Sequence, residues 1–99
     1  MLSVTERARQ ELKSILEANV DMPQSRLRLM DRGQGKLGLG IDVEMPRDEL
    51  VQYDGSTVLV IEHELARSLR GITLDVDDTA TRPEIVVCYE SENIVDAKN

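Results

Sequence analysis

Cysteine and aromatic residues are scarce in this 99-residue chain, and each shortage excludes a class of function. A single cysteine cannot form a disulfide within the chain, and it cannot supply the several thiolates of a structural zinc site or of a cluster cofactor. Two tyrosines, without phenylalanine or tryptophan, give too few aromatic faces for stacking on the bases of RNA or single-stranded DNA. The hydrophobic core must therefore be aliphatic.

Charge and length set further limits on partners and organisation. A net charge of −7 repels phosphate backbones and anionic lipid surfaces, so we expect neither a nucleic-acid partner nor a membrane partner. The sequence has no apolar run of membrane-spanning length and no basic-then-apolar leader, which favours a soluble, cytoplasmic protein. Ninety-nine residues suit one domain with a single modest core, spanning residues 1–99.

Hydrophobic periodicity predicts an α+β fold. Apolar residues from Val4 to Val20 recur at spacings of three and four, as on one face of a helix, and Ser3 or Thr5 suits its N-cap. Because few neighbouring strands are separated by a helical crossover, the sheets should be mixed and largely antiparallel. The predicted order is a helix over 4–20, strands over 26–30 and 37–45, a hairpin of strands over 50–53 and 57–61 around Asp54-Gly55, a short second helix over 62–69, strands over 72–76 and 84–90, and a frayed tail over 91–99.

Four of the six glycines fall within eight residues, between the first two predicted strands. Such a cluster marks a place where the backbone bends sharply or approaches another group closely. The segment joins two strands and does not open a helix, which argues against a phosphate-binding loop of the usual kind. We call residues 33–40, with Gly33, Gly35, Gly38 and Gly40, the glycine loop.

The order and spacing of several segments resemble the HesB/IscA family, the A-type iron–sulfur carriers. The resemblance covers nearly the whole chain and implies the small α+β fold of that family. In that family, a loop with a Gly-Cys-Ser-Gly motif follows a strand, and Leu27-Arg-Leu29 is similar to that strand. The other similar segments are the first helix with Ser3–Ala8, Glu11-Leu12 and Leu16, the hairpin Tyr53–Val60, and Leu69–Asp75.

The resemblance implies cluster chemistry through three cysteines, and the residues here do not supply it. Gly35-Lys36-Leu37-Gly38 stands where the family has Gly-Cys-Ser-Gly, and Ile94–Asn99 shows no sign of the family's C-terminal Cys-Gly-Cys. A lysine ammonium, with a pKa near ~10.4, has no lone pair for iron at neutral pH. Clusters need soft thiolates or, less often, imidazoles. We therefore expect the fold without a bound cluster, metal or other cofactor.

Two other residues are candidates for metal chemistry. Cys88 lies in the apolar segment Ile85–Tyr89 and is interpreted as a small buried core residue, the usual place for a free cysteine. His63 stands between Glu62 and Glu64, an arrangement that suits a loose divalent-metal site but is more often an ordinary surface histidine. An iron or cluster carrier that uses Cys88 and His63 between subunits is the alternative hypothesis. No nucleophile has a catalytic motif around it, so we expect no enzyme.

The segment from Arg26 to Lys36 is basic within an acidic protein. It carries a local charge of +3 in a chain of −7. Ordinary surface charge beside a strand explains this, and so does a docking surface for an acidic partner or a small anion. The predicted partner-binding residues are Arg26, Arg28, Arg32, Gln34 and Lys36.

The leading hypothesis is a non-enzymatic protein-interaction or regulatory module linked to sulfur or iron–sulfur metabolism. Its partner, an unidentified protein, would contact the glycine loop 33–40. The sequence leaves the oligomeric state open, with a homodimer formed through an aliphatic strand edge among the options.

Overall fold

Two sheets and two helices form the fold of the described residues. The computed structural model of the chain describes residues 2–19, 21–34, 36–79 and 81–89. One sheet has the strand order β1-β6-β7 and the other has the order β3-β2-β5-β4. The elements are β1 (Ser3–Val4), α1 (Glu6–Asn19), β2 (Ser25–Gly33), β3 (Lys36–Val43), β4 (Glu49–Tyr53), β5 (Ser56–Ile61), α2 (His63–Ser68), β6 (Ile72–Asp77) and β7 (Glu84–Tyr89).

Strand pairing confirms the predicted α+β class with mixed, largely antiparallel sheets. The pairs β2–β3, β4–β5 and β6–β7 are antiparallel, whereas β1–β6 and β2–β5 are parallel. The frayed tail predicted over 91–99 lies outside the described residues. Neither of the two helices in the described ranges is long and apolar enough to cross a membrane.

The first helix begins later than its apolar pattern predicts. Val4 belongs to β1, where it pairs with Leu74 of β6, so its side chain reaches the core from a strand. Thr5 is the capping residue: its hydroxyl accepts a hydrogen bond from the Ala8 N–H at 3.1 Å. The same hydroxyl donates to the Asp75 carboxylate at 2.9 Å, which joins the start of α1 to β6.

The core is aliphatic, as the composition predicts. Four consecutive residues of β5, Val58–Ile61, are buried, as expected for an inner strand covered on both faces. Strands β2 and β6 and helix α1 supply most of the rest. The other buried apolar residues are Ala8, Leu12, Leu27, Leu29, Ala66, Leu69 and Leu74.

The predicted hairpin around Asp54-Gly55 forms, and β2 and β3 form a second antiparallel hairpin through the glycine loop. Asp54 and Gly55 have φ of 53° and 80°, the left-handed geometry of a tight two-residue turn. Gly33 and Gln34 have φ of 90° and 56° and turn the chain at the end of β2. Strand β3 begins at Lys36, one residue before the start of the strand predicted over 37–45, so the second half of the glycine loop belongs to the β2–β3 ladder.

Candidate functional site

The candidate site is the hairpin formed by β2 and β3, which lies at one edge of the four-stranded sheet. On β2, Leu27 and Leu29 point into the core, so the residues between them point to the opposite face. This outer face of the hairpin carries arginines and a methionine on β2. Its members on β2 are Arg26, Arg28 and Met30, which pair with Asp42, Gly40 and Gly38 of β3.

Arg28, one of the predicted partner-binding residues, does not belong to an open basic patch. Its side chain is only 11% exposed. Its guanidinium donates to both oxygens of Asp48, at 3.1 Å from Nη1 to Oδ1 and 2.7 Å from Nη2 to Oδ2. Nε donates to Asp42 at 2.9 Å, and Nη2 also donates to the Val43 carbonyl at 3.0 Å. All three nitrogens of the Arg28 guanidinium therefore donate hydrogen bonds within the protein.

Arg28 holds the turn between β3 and β4 against the sheet. The side chain of Asp48 is 3% exposed and also accepts a hydrogen bond from the Met45 N–H at 2.7 Å. The hydrogen bonds from Arg28 lower the pKa of Asp48, an effect that the Met45 N–H strengthens and burial opposes. The same hydrogen bonds raise the pKa of Arg28 above its usual value. The pair is thus charged at neutral pH and serves the fold.

Asp42 and Asp48 were missed by reasoning from sequence. The chain has 19 acidic residues, and nothing local distinguishes these two. The one available signal is the alternation of β3, which places Asp42 on the same face as Gly40 and hence beside Arg28. The turn that brings Asp48 to Arg28 has no comparable signal.

Arg26 and Arg32 lie against the protein rather than projecting from it. Nη1 of Arg26 donates to the Pro23 carbonyl at 2.8 Å and to the Ser25 carbonyl at 3.0 Å. Arg32 remains exposed but lies across Gly38, where an added Cβ would overlap its guanidinium. In the same way, a Cβ on Gly40 would lie 2.5 Å from the sulfur of Met30.

These contacts explain the two strand glycines. Their missing side chains give room for Arg32 and Met30 to cross from β2 over β3. The two glycines therefore serve the packing of the outer face, and the space above them is filled by side chains of β2.

The hairpin tip is the part of the predicted site that stays accessible. We define the hairpin tip as residues 32–34 together with Lys36. Arg32, Gln34 and Lys36 are exposed, and Asp31 shapes the turn by accepting a hydrogen bond from the Gly33 N–H at 2.8 Å. Across the described ranges, no hydrogen bond or ion pair engages the Lys36 ammonium. The tip thus offers basic and amide groups, but no thiolate.

The predicted metal candidates lie on different elements, His63 at the start of α2 and Cys88 on β7. His63 opens α2 and lines a cleft of about 580 Å³ beside Arg28, Asp42 and Asp48, whose charges already satisfy one another. Within residues 2–19, 21–34, 36–79 and 81–89, no three or more His, Cys, Asp or Glu side chains are grouped so as to hold a metal ion. An iron–sulfur cluster does not fit the donors at the hairpin tip.

Cys88 is exposed, so its interpretation as a buried core residue is wrong. It lies on β7, an edge strand of its sheet, where it pairs with Thr73. Ile85 and Val87 take the alternate positions that pack against the core, which leaves Cys88 on the opposite face. The apolar sequence around Cys88 predicts a strand, but it does not show which side of the sheet each residue faces.

The element order, the two sheets and the position of the hairpin define a HesB/IscA-like fold, the architecture of A-type iron–sulfur carriers. No protein-family model matches the chain, and no curated protein matches it significantly. The resemblance is therefore one of structure.

Two solved structures carry this likeness. The first is Escherichia coli SufA, described as involved in the biosynthesis of iron–sulfur clusters; it is 18% identical, with a TM-score of 0.57 over 89% of this chain and 79% of SufA. The second is IscA with a [2Fe-2S] cluster, 24% identical, with a TM-score of 0.59 over 90% of this chain and 85% of IscA. At this identity, the comparison establishes the fold.

Proposed function

We propose that this protein is an interaction or regulatory module of iron–sulfur cluster assembly that does not hold a cluster itself. Its contact surface is the hairpin tip. The observation that carries the proposal is the exposed ammonium of Lys36, which no hydrogen bond or ion pair among the described residues engages. It lies on a HesB/IscA-like fold at the position where the resemblance places a cysteine ligand. The module acts without catalysis, in the cytoplasm.

Electrostatics support an acidic partner surface. Arg32 and Lys36 lie at one end of a hairpin on a protein whose total charge is −7. A local basic tip on an acidic body orients an incoming partner, because the rest of the surface repels the same acidic groups. Arg28 adds nothing to this attraction, since two carboxylates already neutralise it.

One observation favours a second candidate function. Because Cys88 is exposed, its thiol is available to an iron centre shared between subunits, with His63 as a further donor. In that case the protein is an iron or cluster carrier. The two residues belong to different elements, β7 and α2, so the shared site depends on an assembly of two or more chains.

Anaerobic reconstitution separates these two functions. The full chain is incubated with ferrous iron and sulfide, desalted, and measured for iron per chain and for the visible absorbance of a cluster, with IscA as the positive control. The interaction module should retain no stoichiometric iron. A stable brown protein whose colour is lost in Cys88→Ser would establish the carrier instead.

Partner capture tests the hairpin tip directly. A variant with Arg32→Glu and Lys36→Glu should retain at most about one tenth of the captured partner, because two attractive contacts become repulsive. The matched control carries Arg70→Glu and Arg82→Glu, which change the net charge equally at exposed positions elsewhere. Equal loss in both variants would mean that net charge, and not the tip, governs capture.

A further inference from the structure

A groove lies between the free edges of two strands, β1 and β4. Each of them pairs with a single neighbour among the described residues, β1 with β6 and β4 with β5. Residues 2–4 and 49–52 both line this groove, whose volume is about 730 Å³. Leu50 and Val51, which point to opposite faces of β4, are both part of its wall. The groove therefore follows the edge of β4 and not one of its faces.

The backbone along both edges of the groove has free hydrogen-bonding groups. The Thr5 N–H donates to the Leu74 carbonyl at 3.0 Å, so the alternation of the strand turns the N–H and C=O of Val4 away from β6. Arg28 and Arg32 bond to backbone carbonyls of β3, whereas no side chain of the described ranges bonds to the backbone of β4. Free backbone groups on a strand edge accept an additional strand.

The side chains of the groove define what it can bind. Ile61 and Ala66, which are 2% and 5% exposed, line it together with aliphatic residues of both strands. Arg9 and Glu49 are its charged residues. No hydrogen bond or ion pair among the described residues engages the side chain of either one. The groove thus offers an apolar centre, one free guanidinium and one free carboxylate.

We propose that this groove binds a short extended segment of a partner protein, which adds to the edge of β4 as a further strand. The segment has aliphatic side chains at its centre, a carboxylate that pairs with Arg9 and an ammonium group that pairs with Glu49. Its backbone bonds to β4 on one side, with the free N–H and C=O of Val4 on the other. A volume of about 730 Å³ suits a ligand of a few residues. The hairpin tip is a separate surface, since it belongs to β2 and β3 at the opposite edge of the same sheet.

Fluorescence anisotropy with labelled synthetic peptides tests the groove in the full chain. The probe has three central valines, a glutamate at one end and a lysine at the other, and it is measured in both orders with its termini blocked. One order should bind with a Kd below about 1 mM. Replacing the central valine of that peptide by proline should weaken binding about tenfold, because proline removes an N–H from the added strand. Absence of binding for both orders, or equal binding of the proline peptide, would overturn the proposal.

An exchange of charge between protein and peptide assigns the binding to the groove. Arg9→Glu should weaken binding about tenfold, and a peptide with lysine in place of its glutamate should bind this variant as the original peptide binds the wild type. The matched control Arg82→Glu changes the net charge equally at an exposed position outside the groove and should leave the Kd unchanged. Equal losses in the two variants, or no recovery with the second peptide, would overturn the assignment.

Two other occupants are measured in the same samples. Sedimentation velocity shows whether association of the chain with itself excludes the peptide, and competition with decanoate shows whether a small apolar acid does. Exclusion of the peptide by either one would overturn the proposal of a partner segment. Partner capture by Arg32 and Lys36 is measured separately, so a failure of the peptide does not affect the proposed function.

Discussion

Replacing Arg28 by methionine should destabilise the protein far more than any other charge removal on the hairpin. The methionine keeps much of the apolar stem but leaves the Asp48 carboxylate, 3% exposed, without its cation. Breaking one side of a fully buried ion pair costs about 3–5 kcal/mol, whereas an exposed pair contributes about 1 kcal/mol or less. The Arg28–Asp48 pair is part-buried, so we expect a loss of about 2–3 kcal/mol. The contact with Asp42 adds little, since that carboxylate is 50% exposed.

A double-mutant cycle with Asp48→Leu isolates the pair itself. Each single change leaves an unpaired, partly buried partner, whereas the double variant leaves none, so the double should recover a large part of the loss. A domain of this size has a total stability of about 5–15 kcal/mol, and at a urea m-value of about 1.5 kcal/mol/M the Arg28→Met loss moves the midpoint by about 1–2 M.

Equilibrium urea unfolding followed by circular dichroism measures the cycle. Asp42→Asn is the matched control and should cost less than about 1 kcal/mol, because it removes an exposed partner of the same arginine. If Arg28→Met costs no more than Asp42→Asn, the guanidinium does not hold the β3–β4 turn, and the assignment of Arg28 to the fold fails.

Three further predictions concern stability. The pKa of Asp48 is lower in the folded protein than in the unfolded chain. Its contribution to the free energy of unfolding is therefore complete above the ordinary carboxyl pKa and is lost as the pH falls through the folded pKa. In urea unfolding at a series of acidic pH values, the stability difference between wild type and Asp48→Asn should shrink below about pH 4. Thr5→Ala should cost about 1 kcal/mol by loss of the α1 cap, whereas Ser3→Ala should be neutral in the same assay. Gly55→Ala should lower the free energy of unfolding by about 1 kcal/mol because φ is +80°, and a smaller cost is expected for Gly38→Ala, since the Arg32 side chain can move aside.

Local signals in the sequence were sufficient for most of the fold. Alternation over residues 37–45 and the Asp54-Gly55 turn are decided within a few residues, and the corresponding elements formed. The start of α1 was not decided locally, because Val4 satisfies the helical spacing equally well. Its pairing with Leu74, seventy positions along the chain, determines that it is a strand residue.

The candidate site was less predictable, because it depends on which face a side chain occupies and on what meets it there. The alternation of β2 places Arg26 and Arg28 on one face, opposite Leu27 and Leu29. It could not show that the β3–β4 turn brings Asp48 back to Arg28. That contact makes Arg28, a candidate docking residue, part of the structure that holds the turn in place. For Cys88, hydrophobic neighbours favoured burial, but an edge strand has one side outside the core.

The distribution of these interactions bears on how a HesB/IscA-like fold can exist with Lys36 at its hairpin tip. The aliphatic core, the Thr5 cap and the Arg28–Asp48 pair hold the described elements together, and none of them uses the tip. Residues that contribute little to stability can change with little effect on folding. The tip is therefore free to vary in chemistry while β2 and β3 keep it in a fixed position, so the fold alone does not require a cluster there.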